Sequence, residues 1–251
     1  MLSFIPLPAF ADNYIWLLPQ PSGACVVDPG EASPVLDYLA AHGQQLGAIL
    51  VTHHHADHTG GIGRLKAAFP HALVHGPAGV ANVDIIHHDG DSFVVGDVRF
   101  QVIATPGHTL DHLCYYTPGA LLSGDTLFGA GCGRLFEGSA NQMYASLARL
   151  AALPPDTWVY PAHEYTLANL AFARACDPDN PAVSERLLQD SQRRQQGKPT
   201  LPVRLDVELA SNPFLRSGEP ALLAASRQHD GNPINNALES FAVLRRWKNS
   251  F

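Results

Sequence analysis

Paired cysteines are missing from this 251-residue chain: Cys25, Cys114, Cys132 and Cys176 are its only four, widely spaced, with no C-x-x-C pair. That pattern excludes a disulfide framework or a zinc ribbon and reads as reduced thiols in a cytosolic protein. Charge is scarce as well. Only 16% of residues are charged against 46% hydrophobic, a balance that allows a substantial core and excludes global disorder. The net charge of −7 argues against a general nucleic-acid or acidic-membrane binder, because both partners are polyanions. No apolar run approaches the ~20 residues of a membrane span. The N-terminus lacks a basic n-region, and Pro6, Pro8 and Asp12 interrupt its apolar stretch. The expectation is a cytoplasmic protein with one large domain, or one domain and a smaller appendage.

What is present is punctuation. Over the first two-thirds, runs rich in β-branched, aromatic and aliphatic residues read as strands at 14–18, 24–27, 48–52, 93–95, 98–104 and 113–117. Between them, Ser33 stands as a cap ahead of Pro34 for a helix over 34–41. The spacing of 62–69 predicts a second helix, and Met143, Leu147 and Leu150 place a third over 139–152. This mixture predicts a layered α/β sandwich. After Tyr165 strand signals nearly vanish, and Leu, Ala, Gln and Arg take over in segments broken by Pro178, Pro181, Pro199, Pro202 and Pro213. Two domains are expected: 1–165 with the sandwich, and 166–251, small and mostly helical.

The densest chemistry is Thr52-His53-His54-His55-Ala56-Asp57-His58, directly after the apolar run Ile49-Leu50-Val51. Sites in layered α/β proteins sit at such strand ends. In extended chain His53 and His55 point one way and His54 the other, which leaves His54 out. His53, His55, Asp57 and His58 are too many ligands for one four-coordinate metal that keeps an open position. Three more donors end later strand-like runs: His108 in Thr105-Pro106-Gly107-His108-Thr109, Asp125 in Ser123-Gly124-Asp125, and His163 in Tyr160-Pro161-Ala162-His163-Glu164. Imidazole suits zinc and iron, and a carboxylate has two oxygens with which to bridge two ions. Seven ligands divide into two groups of three that share one aspartate. Any one of these histidines alone would be an ordinary turn residue. Five histidines and two aspartates all ending apolar runs are not explained that way, since each buried imidazole would need a partner. His87 and His88 receive no role.

The block H-x-H-x-D-H followed by His, Asp and His is the signature of the metallo-β-lactamase superfamily, which the chain resembles over about residues 10–165. The resemblance implies an αββα sandwich holding two divalent metal ions, zinc foremost, with iron or manganese suited to the same ligands. It implies His53, His55 and His108 on the first metal, Asp57, His58 and His163 on the second, and Asp125 with a hydroxide bridging both. Asp28 in Val27-Asp28-Pro29-Gly30 also matches, either as support for the ligands or as a residue closing a turn.

Within that superfamily the chain is similar to the glyoxalase II (hydroxyacylglutathione hydrolase) family over essentially its whole length. The similar segments are Asp12-Asn13-Tyr14, Gly124-Asp125-Thr126-Leu127-Phe128, Gly131-Cys132-Gly133-Arg134-Leu135-Phe136-Glu137-Gly138, His163-Glu164-Tyr165-Thr166 and the tail Leu244-Arg245-Arg246-Trp247-Lys248-Asn249. That family implies hydrolysis of S-2-hydroxyacylglutathione, S-D-lactoylglutathione above all, to glutathione and D-lactate, the second step of methylglyoxal detoxification. The implied nucleophile is the metal-bridging hydroxide, with Asp57 and Asp125 as the catalytic residues that orient it. Arg134, Phe136, Tyr165, Arg245 and Lys248 are the implied substrate-binding residues, and 166–251 the implied glutathione-binding domain. On a helical tail Arg245 and Lys248, at i and i+3, share a face suited to a glutathione carboxylate; the bland alternative is a solvated basic helix end. Phe136 departs from a tyrosine common in the family, which removes a hydroxyl contact. Cys132 reads as a tight-turn residue, not a nucleophile. The expected partner is a small glutathione thioester, with no nucleic acid, no membrane and a monomeric chain.

Three rivals remain in view. A persulfide dioxygenase on the same fold would use two histidines and one carboxylate around a single iron. An RNA phosphodiesterase sits badly with the net charge. A non-catalytic zinc-stabilised module would carry a closed, cysteine-rich site, and this set has none.

Overall fold

In the computed structural model, which describes residues 2–251, strand β1 (Ile5–Ala9) pairs antiparallel with β2 (Asn13–Leu18), from Ile5↔Leu17 to Ala9↔Asn13. Pro6 and Pro8 are tolerated because β1 is a sheet edge: alternate residues turn the same way, so both prolines place their missing N–H away from β2. β3 (Ala24–Val27) adds antiparallel to β2; beyond it β4 (Leu46–Leu50), β5 (Leu73–Gly76) and β6 (Ile85–Ile86) run parallel, in the order β1-β2-β3-β4-β5-β6. Parallel neighbours need crossovers. Helix α1 (Ser33–His42) supplies one, and α2 (Ala56–Thr59) with α3 (Ile62–Ala68) the next. Val26, Ile49, Val51 and Val74 of the sheet pack with Val35, Leu39, Ile62 and Leu65 of the helices into a dry core. Each such buried side chain contributes about 1.5–3 kcal/mol, so the helices lock onto one face and leave the strand ends to carry the site.

Alternate residues face the other way, toward a second sheet. Its meander is β7 (Ser92–Val95), β8 (Val98–Ala104), β9 (Leu113–Thr117) and β10 (Ala120–Gly124), all antiparallel. The Trp16 indole N–H donates to the Pro161 carbonyl at 2.8 Å and its ring meets Tyr160 edge-on, while the Tyr115 hydroxyl donates to Val51 O at 2.6 Å. These residues belong to one of two compact units, composed of Met1–Thr105, Asp111–Asp125 and Tyr160–His163.

The other unit comprises Pro106–Leu110, Thr126–Val159 and Glu164–Phe251. It opens with a two-stranded hairpin of β11 (Leu127–Phe128) and β12 (Gly131–Cys132). Helix α4 (Ala140–Ala151) follows, its first turn closed by a reciprocal Ser139–Gln142 capping box. The first two residues of β13 (Trp158–Pro161) pair with β14 (Val203–Arg204), and its last two run on beside β10. The remainder is helical: α5 (Thr166–Cys176), α6 (Pro181–Gln195), α7 (Leu205–Ser211), α8 (Pro220–Asp230) and α9 (Ala237–Ser250). Prolines start helices here: Pro181 and Pro220 occupy first turns, and Asn180 caps α6 through Ala182 N–H at 2.9 Å. Ser33 does not cap α1. Helical geometry already includes it, and its hydroxyl accepts from Arg64 instead. No helix among the described residues is long and apolar enough to cross a membrane.

One buried pair makes the first unit acid-sensitive. His75 Nδ1 and His87 Nε2 share a hydrogen bond at 2.9 Å, and both rings stack against Phe93. Burial and the neighbouring His87 push the His75 pKa down from 6.5 to about 4. The unfolded chain therefore takes up this proton at a higher pH than the folded one. Stability is complete above about pH 6.5 and falls as the pH drops toward 4, by up to about 3 kcal/mol. The Tm should fall between pH 7.5 and 5, and His75→Gln should flatten that slope; an unchanged slope would refute the assignment.

Candidate metal centre

Six of the seven expected ligands lie in the first unit: His53 and His55 after β4, Asp57 and His58 on α2, Asp125 after β10 and His163 after β13. Local geometry fixes them. Asp28, directly after β3, adopts φ +52°, a conformation that costs a non-glycine residue about 1–3 kcal/mol. Thr52 holds it there, donating its backbone N–H to Oδ1 and its hydroxyl to Oδ2, both at 2.8 Å. Gly30 is required by close approach, since a Cβ would lie 1.9 Å from the Asp57 carbonyl oxygen. Asp125 is anchored by its own N–H, which donates to His112 Nε2 at 3.0 Å, and His112 Nδ1 in turn meets the Thr105 hydroxyl at 2.9 Å.

Four donors then converge. His58 Nε2 lies 3.4 Å from Asp57 Oδ2 and 3.5 Å from Asp125 Oδ1; His163 Nε2 lies 3.4 Å from each of the same two oxygens. These separations are wider than the roughly 2.7–2.9 Å of charge-assisted hydrogen bonds. A tetrahedral ion with bonds of about 2.0–2.2 Å needs donors about 3.3–3.6 Å apart. The set fits a divalent cation. Beside it, His53 Nε2 is 3.0 Å from His55 Nδ1, and His53, His58 and Asp125 form a second buried group of donors.

Each ring is turned by its other nitrogen. His163 Nδ1 donates to Asp12 Oδ1 at 2.8 Å, and His58 Nδ1 lies 3.1 Å from Asp28 Oδ2. The Thr52 hydroxyl, having given its proton to Asp28, accepts from His53 Nδ1 at 3.0 Å. A proton on Nδ1 leaves the Nε2 lone pair for a cation, and such outer partners raise ligand basicity.

The charges point the same way. Burial alone would lower His58, but the carboxylates of Asp125, Asp28 and Asp57 drive its pKa well above 6.5. Burial also opposes a proton on His163, and Asp57, Asp125 and Asp12 overcome it. Burial acts to raise Asp57, yet His163, His58 and the Asn13 amide, 3.1 Å away, hold its carboxyl below the usual range. His55 is lowered, by burial and then by His54. Carboxylates that recruit protons onto buried imidazoles are short of positive charge. Dications supply that charge and displace the protons.

The seventh ligand, His108, lies in the second unit, where its Nδ1 donates to the Arg134 carbonyl at 2.8 Å and its carbonyl accepts from Phe136 N–H at 3.2 Å. Arg134 and Phe136 are exposed, and Tyr165 rests edge-on against Phe128. Arg245 and Lys248 lie on α9 but do not present a common clamp. Arg245 is buried over the Phe214 ring, with Nη1 on Cys132 O at 2.7 Å and Nη2 on Asn249 Oδ1 at 3.2 Å; Lys248 Nζ donates to Ala168 O at 3.2 Å. His54 turns away to Asp111, 3.2 Å distant. Cys132 is buried and its thiol pKa is raised by burial, the opposite of a nucleophile's environment.

Three functional neighbours escape a reading of motifs alone: Asp12 on His163, Asn13 on Asp57, and His112 on Asp125. Asp12 and Asn13 stand about 150 residues from His163, and the pairing of Tyr14 N–H with Ala162 O, together with the bridge between Asn13 and His163, brings them there. Asp12→Asn should weaken metal binding about tenfold or more while leaving the metal-free Tm unchanged, because Asp12 is partly exposed. Chelator competition checks this; unaltered affinity would remove Asp12 from the site.

Known proteins resemble the chain in sequence and in fold. Residues 10–163 match the profile described as the metallo-beta-lactamase superfamily, and residues 164–251 that of the hydroxyacylglutathione hydrolase C-terminus. The chain is 51% identical over 257 residues to a hydroxyacylglutathione hydrolase of Chromohalobacter salexigens and 52% identical over 258 residues to one of Ectopseudomonas mendocina, covering 100% of both chains in each case. Among solved structures, ETHE1 from Myxococcus xanthus aligns over 100% of both chains at TM-score 0.67 and 25% identity. The BLEG-1 B3 metallo-beta-lactamase aligns over 86% of this chain and 99% of its own at TM-score 0.64 and 23% identity, which speaks to the fold alone.

Proposed function

The chain belongs to the hydroxyacylglutathione hydrolase (glyoxalase II) family of the metallo-β-lactamase superfamily, and from that membership we propose how its own residues hydrolyse an S-2-hydroxyacylglutathione thioester, S-D-lactoylglutathione first, to glutathione and D-lactate. The observation that carries the reading is the convergence of His58, His163, Asp57 and Asp125 donors at 3.4–3.5 Å.

Two divalent ions, zinc foremost, would be held by His53, His55 and His108 and by Asp57, His58 and His163, with Asp125 as the seventh donor. Bound there, such ions would lower the pKa of a coordinated water toward ~7 and polarise the thioester carbonyl. Asp57 and Asp125 orient the attacking water. Asp12, Asp28 and Thr52 keep the imidazoles in the tautomer that faces the ions. The leaving glutathione thiol has a pKa of roughly 8.5 and departs as thiolate, so no strong general acid is needed. Arg134, Tyr165 and Lys248, with Phe136 as an apolar neighbour, receive the glutathione part, and Arg245 supports them from beneath. Residues 1–165 are the catalytic domain and 166–251 the glutathione-binding domain. The protein works as a cytoplasmic monomer.

Turnover of S-D-lactoylglutathione beside elemental analysis of the purified protein tests this. Two divalent ions per chain, with activity lost to a chelator and restored by metal, is the expected result. A single iron per chain with oxygen uptake and no thioester cleavage would overturn it.

A further inference from the structure

The hairpin β11–β12 starts two residues after Asp125 and its second strand runs into Gly133 and Arg134. A two-residue turn with two-residue strands is far too short to hold itself in water. Its backbone is instead gripped by four side chains from three helical segments. Asn169 of α5 donates to Gly129 O at 2.9 Å. Asn212, which ends α7, donates to Gly131 O at 3.0 Å and approaches Phe128 O at 3.4 Å. Arg245 of α9 donates to Cys132 O at 2.7 Å. Glu208 of α7 accepts from Ala130 N–H with both oxygens, at 3.1 and 2.9 Å.

Glu208 is wholly buried and its close ion partner Arg186 of α6, whose Nη2 stands 2.6 Å away, nearly so; Asn212 also donates to Glu208 at 2.8 Å. Burying two charges costs several kcal/mol each before pairing, and well-packed apolar residues would serve stability as well. The charges therefore need another explanation, and the hairpin supplies it. Ala130 sits at φ +52°, a conformation an alanine keeps only when its surroundings impose it. Glycine flanks it because the clamp leaves no room for a side chain: a Cβ on Gly131 would lie 2.3 Å from Asn169 Nδ2, and one on Gly129 would lie 2.3 Å from Thr166 Oγ1.

We infer that Asn169, Arg186, Glu208, Asn212 and Arg245 form a buried clamp of positioning residues that sets the hairpin, and through Gly133 the place of Arg134, for recognition of the glutathione carboxylates. This rests on the hydrolase reading above. It also gives Arg245 a route of action that needs no direct contact with substrate. Asp125 is anchored separately by His112, so loosening the clamp frees the Arg134 end first.

The test is Asn212→Ala, with Asn169→Ala as the milder companion should the first fail to fold. Both are assayed with divalent metal in excess, because the Arg134 carbonyl also bonds His108. Two substrates are compared: S-D-lactoylglutathione and S-lactoyl-N-acetylcysteamine, which carries the same acyl group without the carboxylates. The expected result is a KM for the glutathione thioester raised about tenfold, kcat changed less than about threefold, and kcat/KM for the small thioester unchanged. Equal losses on both thioesters would reduce the clamp to a purely structural role, and no change on either would remove it altogether. A wild-type protein inactive on S-D-lactoylglutathione would instead sink the hydrolase reading itself.

Discussion

Replacing Asp125 by alanine should abolish thioester turnover, lowering kcat on the order of 10³-fold or more, and should reduce the metal content of the purified protein. Removing a partner that only orients a ligand already costs about 10–100-fold; Asp125 is itself a donor, shared by His58 and His163 at 3.5 and 3.4 Å. Its loss removes one corner common to both groups of donors. The metal-free chain should still fold. Asp125 is among the carboxylates that hold protons on His58 and His163, and without it those imidazoles approach the neutral form that burial favours. Kinetics with S-D-lactoylglutathione and elemental analysis together decide the matter. Retained turnover with full metal content would break the two-metal proposal.

Asp28→Ala should be the most destabilising single change near the site. It strands the Thr52 N–H and hydroxyl, both buried, and removes the partner of His58 Nδ1. An unsatisfied buried donor costs about 1–3 kcal/mol, and alanine tolerates the positive φ less well than aspartate does. A loss of about 3 kcal/mol corresponds to a Tm lowered by roughly 6–12 °C in a chain of this size. Asp28→Asn separates stability from chemistry. Its amide oxygen still accepts from Thr52 N–H, but its NH₂ now faces the Thr52 hydroxyl and His58 Nδ1. His58 would have to reverse its tautomer, aiming a proton at the other donors. The Asn variant should thus keep most of its Tm and lose about 10–100-fold in metal affinity. Equal behaviour of the two variants in both measurements would show that charge and tautomer do not matter there.

Much of the site was legible because its ligands end apolar runs. β3, β8 and β9 are dense in β-branched and aliphatic residues, and their bounds follow from that. The ligand blocks after β4 and β10 stand out as polar residues against such runs. β1 was invisible for a physical reason: Pro6 and Pro8 argue against a strand unless one already knows that it lies at an edge. Ser33 beside Pro34 looks like a cap, yet the helix starts one residue earlier than that pattern implies. The clamp on the hairpin could not be read at all. Its members span residues 169–245, and each has an ordinary role by default: an asparagine at a helix end, an i, i+4 Arg186–Asp190 pair, a basic tail. Only burial distinguishes them, and burial is a property of the fold.

The bond between Asp12 and His163 joins residues 151 positions apart, and it sets the order in which this protein can mature. A nascent chain that has emerged as far as Asp125 already displays several imidazoles and carboxylates, yet it lacks the imidazole that completes the four converging donors. Ion capture at that corner must wait until His163, which follows β13, has left the ribosome and reached Asp12. Until then a stray cation meets only partial, weak coordination and can leave again, so loading is timed to the closure of the sheet pair.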